Sequence, residues 1–155
     1  MQHHLAVLLP QRIELILDGR KTIGSWFTKT RRAPYGKVNK GDIVYMKESG
    51  GLVKGQFTVA KVETFDTITS VDVLDIYANY GEEIFGIRHF SEEWDECYKS
   101  GLLAEELKDW SNSKYATLIH ITDLIPFPKP FRFPKRDQRS WVLLDAPLNQ
   151  SLTDN

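Results

Sequence analysis

Apolar and polar positions along the chain switch between two periods. Leu5–Leu9 is a short unbroken apolar run and predicts a buried strand, although periodicity by itself does not exclude a helix there. Pro10 suits the first turn of a helix. Ile13, Ile16 and Leu17 then fall at i, i+3 and i+4, and Gly19 is placed to cap the helix end. Thr22–Thr28 has strand character through Ile23, Trp26 and Phe27, interrupted by Gly24 and Ser25. Lys29–Gly41 is a loop punctuated by Pro34, Gly36 and Gly41. Asp42–Glu48 carries apolar residues on both faces (Ile43 and Tyr45, Val44 and Met46), which predicts a central strand or a closed barrel. Ser49–Gly51 is a hairpin signal, and Leu52–Val62 returns as a strand with Val53, Phe57 and Val59 on one face. Gly55 on that face predicts a bend or bulge.

The middle of the chain is helical. Ser70 is the expected N-cap of Val71–Ala78, with Val71, Leu74 and Ala78 in register. Ser91 caps a second helix striped by Trp94, Cys97 and Tyr98, and Leu103, Leu107 and Trp110 stripe a third. Gly81–Phe90 between them reads as loop. Tyr115–Thr122 is a strand. Ile125–Pro134, with four prolines and three phenylalanines, must be extended or turning rather than helical. Trp141–Leu144 is a last strand. The expected organisation is one domain over residues 1–146 and a flexible tail over 147–155. The expected class is α+β: a small β-barrel of about five to six strands decorated by short helices, since the strands come as a hairpin and a late pair rather than as βαβ units.

Composition narrows the class. At 41% hydrophobic and 26% charged residues, the 155-residue chain can bury a core. No apolar run approaches the roughly 20 residues that span a bilayer. The start, MQHHLAVLLPQR, lacks a basic segment and a small-residue cleavage site, which argues against a signal peptide. A single cysteine, Cys97, fits a reducing cytoplasm. His3, His4, His89 and His120 with one cysteine show no zinc spacing, so no metal and no cofactor is expected. His3 and His4, beside the terminus, are expected to be disordered.

The net charge of −1 hides a segregation. Val62–Trp110 holds 13 acidic residues against three basic, Pro126–Trp141 one against five. Gly19–Asp42 holds seven Lys or Arg, interleaved with Trp26, Phe27 and Tyr35. Cations attract phosphates and flat rings stack on bases, so this stretch points to nucleic acid. The plainer reading is a solvated basic loop with two core aromatics. On the binding reading, Lys21, Arg31, Arg32, Lys37 and Lys40 contact phosphate or a base edge. Trp26 or Tyr35 stacks. Arg136 and Arg139, with Lys135 and Trp141, close the other wall if the two basic segments converge.

The order of the pieces resembles the ASCH family of the PUA-like fold superfamily. A short helix ends in Asp18-Gly19-Arg20-Lys21-Thr22, similar to the family's G-x-K-x-x-E-x-R signature. Lys40-Gly41-Asp42 opens a strand, Val53-Lys54-Gly55 lies on the next, and Leu118–Thr122 and Trp141-Val142-Leu143-Leu144 close the chain. The resemblance implies a PUA-like barrel that binds RNA, another nucleic acid or a modified nucleotide in a cleft. Some members resemble RNA-processing enzymes, including ribonucleases and a small amidohydrolase acting on acylated cytidine. In the latter a lysine activates a threonine and a glutamate serves as acid or base. Here Gly24 stands at the position of the signature's glutamate and of that threonine, and Trp26 at the arginine. That leaves Trp26 as core or as the shifted tryptophan of the family's eukaryotic coactivator branch. The hydrolase alternative would use Lys21 with Thr22 or Ser25, and Glu82 or Glu83 as the carboxylate. A third reading makes the acidic helices, with Trp94, Tyr98 and Trp110, a surface for a protein partner.

Overall fold

Two-sided burial of the strand after the basic loop organises the molecule. A computed structural model describes residues 1–89, 91–134 and 137–148. In chain order its elements are β1 (His3–Leu8), α1 (Pro10–Leu17), β2 (Ile23–Thr28), β3 (Ile43–Glu48), β4 (Val53–Asp66), α2 (Ser70–Phe85), α3 (Glu92–Ser100), α4 (Leu102–Ser111), β5 (Tyr115–Phe131) and β6 (Trp141–Leu144). The strands form one mixed sheet in the order β2-β5-β4-β3-β1-β6, with β1 parallel to β3. The class is α+β, a six-stranded half-barrel with helices. β3 lies between β4 and β1. Its Val44 and Met46 join the interior with Ala6, Phe57, Val59 and Ile119, and its Tyr45 joins Leu5, Val53 and Phe131 on the other face.

The sheet curls until its two edge strands meet through side chains. Trp26 of β2 stands edge-on to Trp141 of β6, with ring centroids 5.0 Å apart at 86°. Helix α1 packs Ile13 and Ile16 into the same interior. A second core lies where α2 and α4 cover β2 and β5, built from Ile23, Val73, Ile76, Ile84, Trp110 and Leu118.

Several local expectations shift. Thr69, not Ser70, caps α2, in a reciprocal box with Asp72. The helix runs past Gly81 to Phe85 and stops at Gly86 in a left-handed conformation. Its buried stripe is Val73, Ile76 and Ile84, while Val71 and Leu74 are exposed. Both stripes have helical spacing, and contact with β2 and β5 selects the longer one. Gly81 lies inside the helix, where a Cβ would meet the ring of His89 at 3.1 Å. The Pro-rich segment is extended as foreseen, and most of it lies in the second half of β5, which pairs with β4 at Ile125, Pro126 and Phe131. Pairing of β5 with β2 ends at His120, so the prolines beyond lie where, among the described residues, one side of the strand has no paired strand. A register shift between Val53 and Gly55 confirms the irregularity expected there.

His3 and His4 are ordered in β1, and His4 is fully buried. Its Nε2 pairs with Asp42 Oδ2 at 2.9 Å, and Trp141 Nε1 donates to its Nδ1 at 3.1 Å. Burial pushes the Asp42 pKa up, but hydrogen bonds from Gln2 N, His4 and Asn39 N outweigh it and hold the carboxyl below its ordinary value. Its stabilisation is therefore present above about pH 4 and is lost as pH falls through the lowered folded value. Asp42→Ala should cost about 3 kcal/mol in urea unfolding at pH 7, and the difference from the parent should shrink below pH 4. An unchanged midpoint would remove the network from the list of anchors.

Candidate functional site

A left-handed glycine turns the signature lysine inward. Gly19, at φ 76°, follows α1, and the amides of Arg20 and Lys21 both donate to Leu15 O at 3.0 Å. The chain then passes under the C-terminal end of α2, where Thr22 N donates to Glu83 O. Lys21 is 6% exposed, and its Nζ donates to the carbonyl of Ile84. The nearest charges are Arg12 of α1 and Glu106 of α4, themselves paired at 3.3 Å. Burial lowers the Lys21 pKa, the Arg12 cation lowers it further, and Glu106 raises it, leaving it at about 7.

Lys21 lines a cavity of about 260 Å³ with Arg12, Ser25, Phe85, Trp94, Cys97, Glu105, Glu106 and Asp109 among its walls. That is just below the usual range for small-molecule sites, roughly 300–1,000 Å³, and suits one base or nucleoside. Helix α3 forms the outer wall through Trp94 and Cys97. None of its residues is buried, and Arg20 pairs with its Glu93 across the rim.

The other expected residues scatter. Ser25 shares the cavity with Lys21, whereas Thr22 is exposed and lines a neighbouring depression with Arg20, Glu82, Glu83 and Arg88. Glu82 and Glu83 do not line the Lys21 cavity; the carboxylates that do are Glu105, Glu106 and Asp109 of α4. Neither those nor Arg12 stood out in the sequence. Their helices carried ordinary amphipathic stripes, and Arg12 and Glu106 are 94 residues apart.

Trp26 and Trp141 pack in the barrel interior, Trp141 only 3% exposed. A Cβ at Gly24 would lie 2.6 Å from the Trp26 ring, so this ring occupies the space of the missing side chain. Tyr35 leans on Tyr115, and Arg31 lies over the Tyr115 ring and pairs with Asp66. Arg32 lines a shallow depression with Lys29 and Asn112; Lys37 and Lys40 are exposed. Trp110 is buried and Trp94 is half-buried in the cavity wall, leaving only Tyr98 of the proposed partner-binding aromatics exposed.

Lys40 and Arg139, one from each basic segment, do not meet. Lys40 and Gly41 lead into β3 beside His3, whereas Arg139 and Ser140 sit at the opposite end of that strand pair, with Val7 N bonded to Ser140 O. The four residue steps from His3 to Val7, about 13 Å of strand, separate the ends. Arg139 is held by Asp137 at 2.8 Å. Lys135, Arg136 and tail residues 149–155 lie outside the described residues.

No protein-family profile matches the chain, and no curated protein does. Solved structures do. The ASCH protein of Zymomonas mobilis superposes with a TM-score of 0.62 at 18% identity, covering 92% of this chain and 87% of that one. A tyrosine-to-phenylalanine variant of the same protein gives 0.63 at 17%, covering 93% and 91%. A serine-to-alanine variant gives 0.62 at 16%, covering 92% and 88%. With its half-barrel, its glycine-turned lysine and these superpositions, the chain has the ASCH-domain fold.

Proposed function

We propose that this ASCH-type domain binds RNA by taking one base into the Lys21 cavity. The observation that carries the reading is a buried lysine facing a base-sized cavity walled by Trp94 and Phe85. Lys21, Arg12 and Glu106 offer donors and an acceptor to a base edge, and Trp94 offers a ring face. The depression lined by Lys29 and Arg32 shares Asp109 with the cavity, so loop cations lie beside it for the flanking phosphates. Titration of a short oligouridylate, followed by tryptophan fluorescence, tests this. Affinity should fall with rising salt, Arg32→Ala should flatten the salt slope by about one, and Lys21→Met should weaken binding at least tenfold. No binding at low salt would overturn the reading.

A second reading is hydrolysis of an acylated nucleoside in the same cavity. Ser25 lines it with Lys21, and an amine with a pKa of about 7 is substantially neutral at physiological pH and can accept a hydroxyl proton. Ser25 takes the nucleophile's role, and Thr22, outside the cavity, does not. Release of acetate from N4-acetylcytidine, lost in Ser25→Ala with binding retained, separates turnover from binding alone.

A further inference from the structure

A second buried lysine lies at the far end of the sheet. Lys47 of β3 sits between Val7 of β1 and Val53 of β4 and is 9% exposed. Its Nζ donates to the carbonyl of Glu48 at 3.1 Å, and among the described residues no carboxylate pairs with it. Lys54 and Lys61 on the adjacent strand each have a glutamate, Glu48 at 3.3 Å and Glu63 at 3.6 Å. Taking an ammonium out of water is costly unless an opposite charge accompanies it.

Lys47 lines a cavity of about 430 Å³ with Ser49, Gly50, Gln138, Arg139 and Ser140. Asp137 also lines it and bonds Arg139 through Nε at 3.0 Å and Nη2 at 2.8 Å, leaving Nη1 of the guanidinium without a partner in that pair. Among the described residues the cavity lining thus holds two cations, Lys47 and Arg139, and one carboxylate, Asp137. A compact ammonium, a planar guanidinium, two hydroxyls and a side-chain amide are the donor set that surrounds a tetrahedral oxyanion. It shares no lining residue with the Lys21 cavity.

We propose that Lys47, Ser49, Gln138 and Arg139 form an oxyanion site that takes a phosphate group, separate from the base cavity. A buried ammonium beside a guanidinium favours an anion over a neutral ligand. The phosphate is either free or part of a bound strand.

The probe is inorganic phosphate added to the full chain at constant ionic strength, read by amide NMR shifts of Ser49, Gly50 and Gln138, with chloride as control. Saturable shifts are expected with phosphate only. Affinity should fall at least tenfold in Lys47→Met, which keeps an unbranched side chain, and several-fold in Arg139→Gln at an exposed position. In chloride alone Lys47→Met should melt higher than the parent, and phosphate should raise the melting temperature of the parent but not of the variant. Lys21→Met should leave the phosphate shifts unchanged, which keeps this outcome independent of the base-binding reading. Competition by oligouridylate would assign the phosphate to a strand, and its absence would assign a free ion. Shifts no larger than those in chloride, or shifts undiminished in Lys47→Met, would overturn the proposal.

Discussion

Lys21→Met should melt higher than the parent at pH 6 and lower than it above pH 10.5, while losing ligand binding at every pH. The sign follows from linkage. The lysine pKa is about 7 in the folded chain against an ordinary 10.5. Below pH 7 the group is charged in both states, and the folded state bears the whole penalty of a buried ammonium, on the order of 5 kcal/mol. Between pH 7 and 10.5 the unfolded chain holds more protons, so the parent gains stability as pH rises. Above 10.5 the amine is neutral in both states and the electrostatic penalty is gone. Methionine removes that penalty but leaves the Ile84 carbonyl without its donor, which costs about 1–3 kcal/mol. The first effect is larger at acid pH and absent at alkaline pH, so the order of the two proteins reverses. Thermal melts of both proteins from pH 6 to 11 read this directly. A difference that does not change with pH would mean that Lys21 keeps an ordinary pKa, and the hydrolase reading would lose its base.

Trp110→Ala should cost about 3–5 kcal/mol in urea unfolding and should weaken the Lys21 cavity with the fold. Trp110 is 2% exposed. Its ring lies between Phe27, at 4.5 Å and 10°, and Phe85, at 5.5 Å and 5°. One side chain of α4 therefore joins β2 to the end of α2 through two stacked rings, worth something beyond their area burial. The same helix carries Glu105, Glu106 and Asp109 into the cavity wall, and α2 supplies the Ile84 carbonyl that receives Lys21. Trp110→Phe should recover part of the loss and restore binding, which distinguishes loosened packing from a direct ligand contact. A loss under about 1 kcal/mol in Trp110→Ala would mean that α4 is held by other contacts.

Glycine at position 24 also has a physical account. The Trp26 ring lies closer to Gly24 than any Cβ allows. The two positions act as one packing unit on the same face of the strand. Trp26 then reaches Trp141 on the opposite edge strand, a pairing that no spacing in the chain announces.

Alternation and caps already specified most of the elements: a central strand at Ile43–Glu48, a hairpin after it, Ser91 as a helix cap, and a lysine released from its helix by Gly19. These are local matters, settled by one side chain and its neighbours in the chain. The direction in which Val71–Ala78 faces was not local, because two stripes of helical period competed and contact with β2 and β5 chose between them. Where the charged residues end up was not local for the same reason. Lys40 and Arg139 both belong to basic segments, yet parallel pairing of β1 with β3 puts them at opposite strand ends. The depressed pKa of Lys21 arises from burial under the helices that fold back over it, and the unpaired charge of Lys47 from burial between strands; neither quantity exists until the chain has closed on itself.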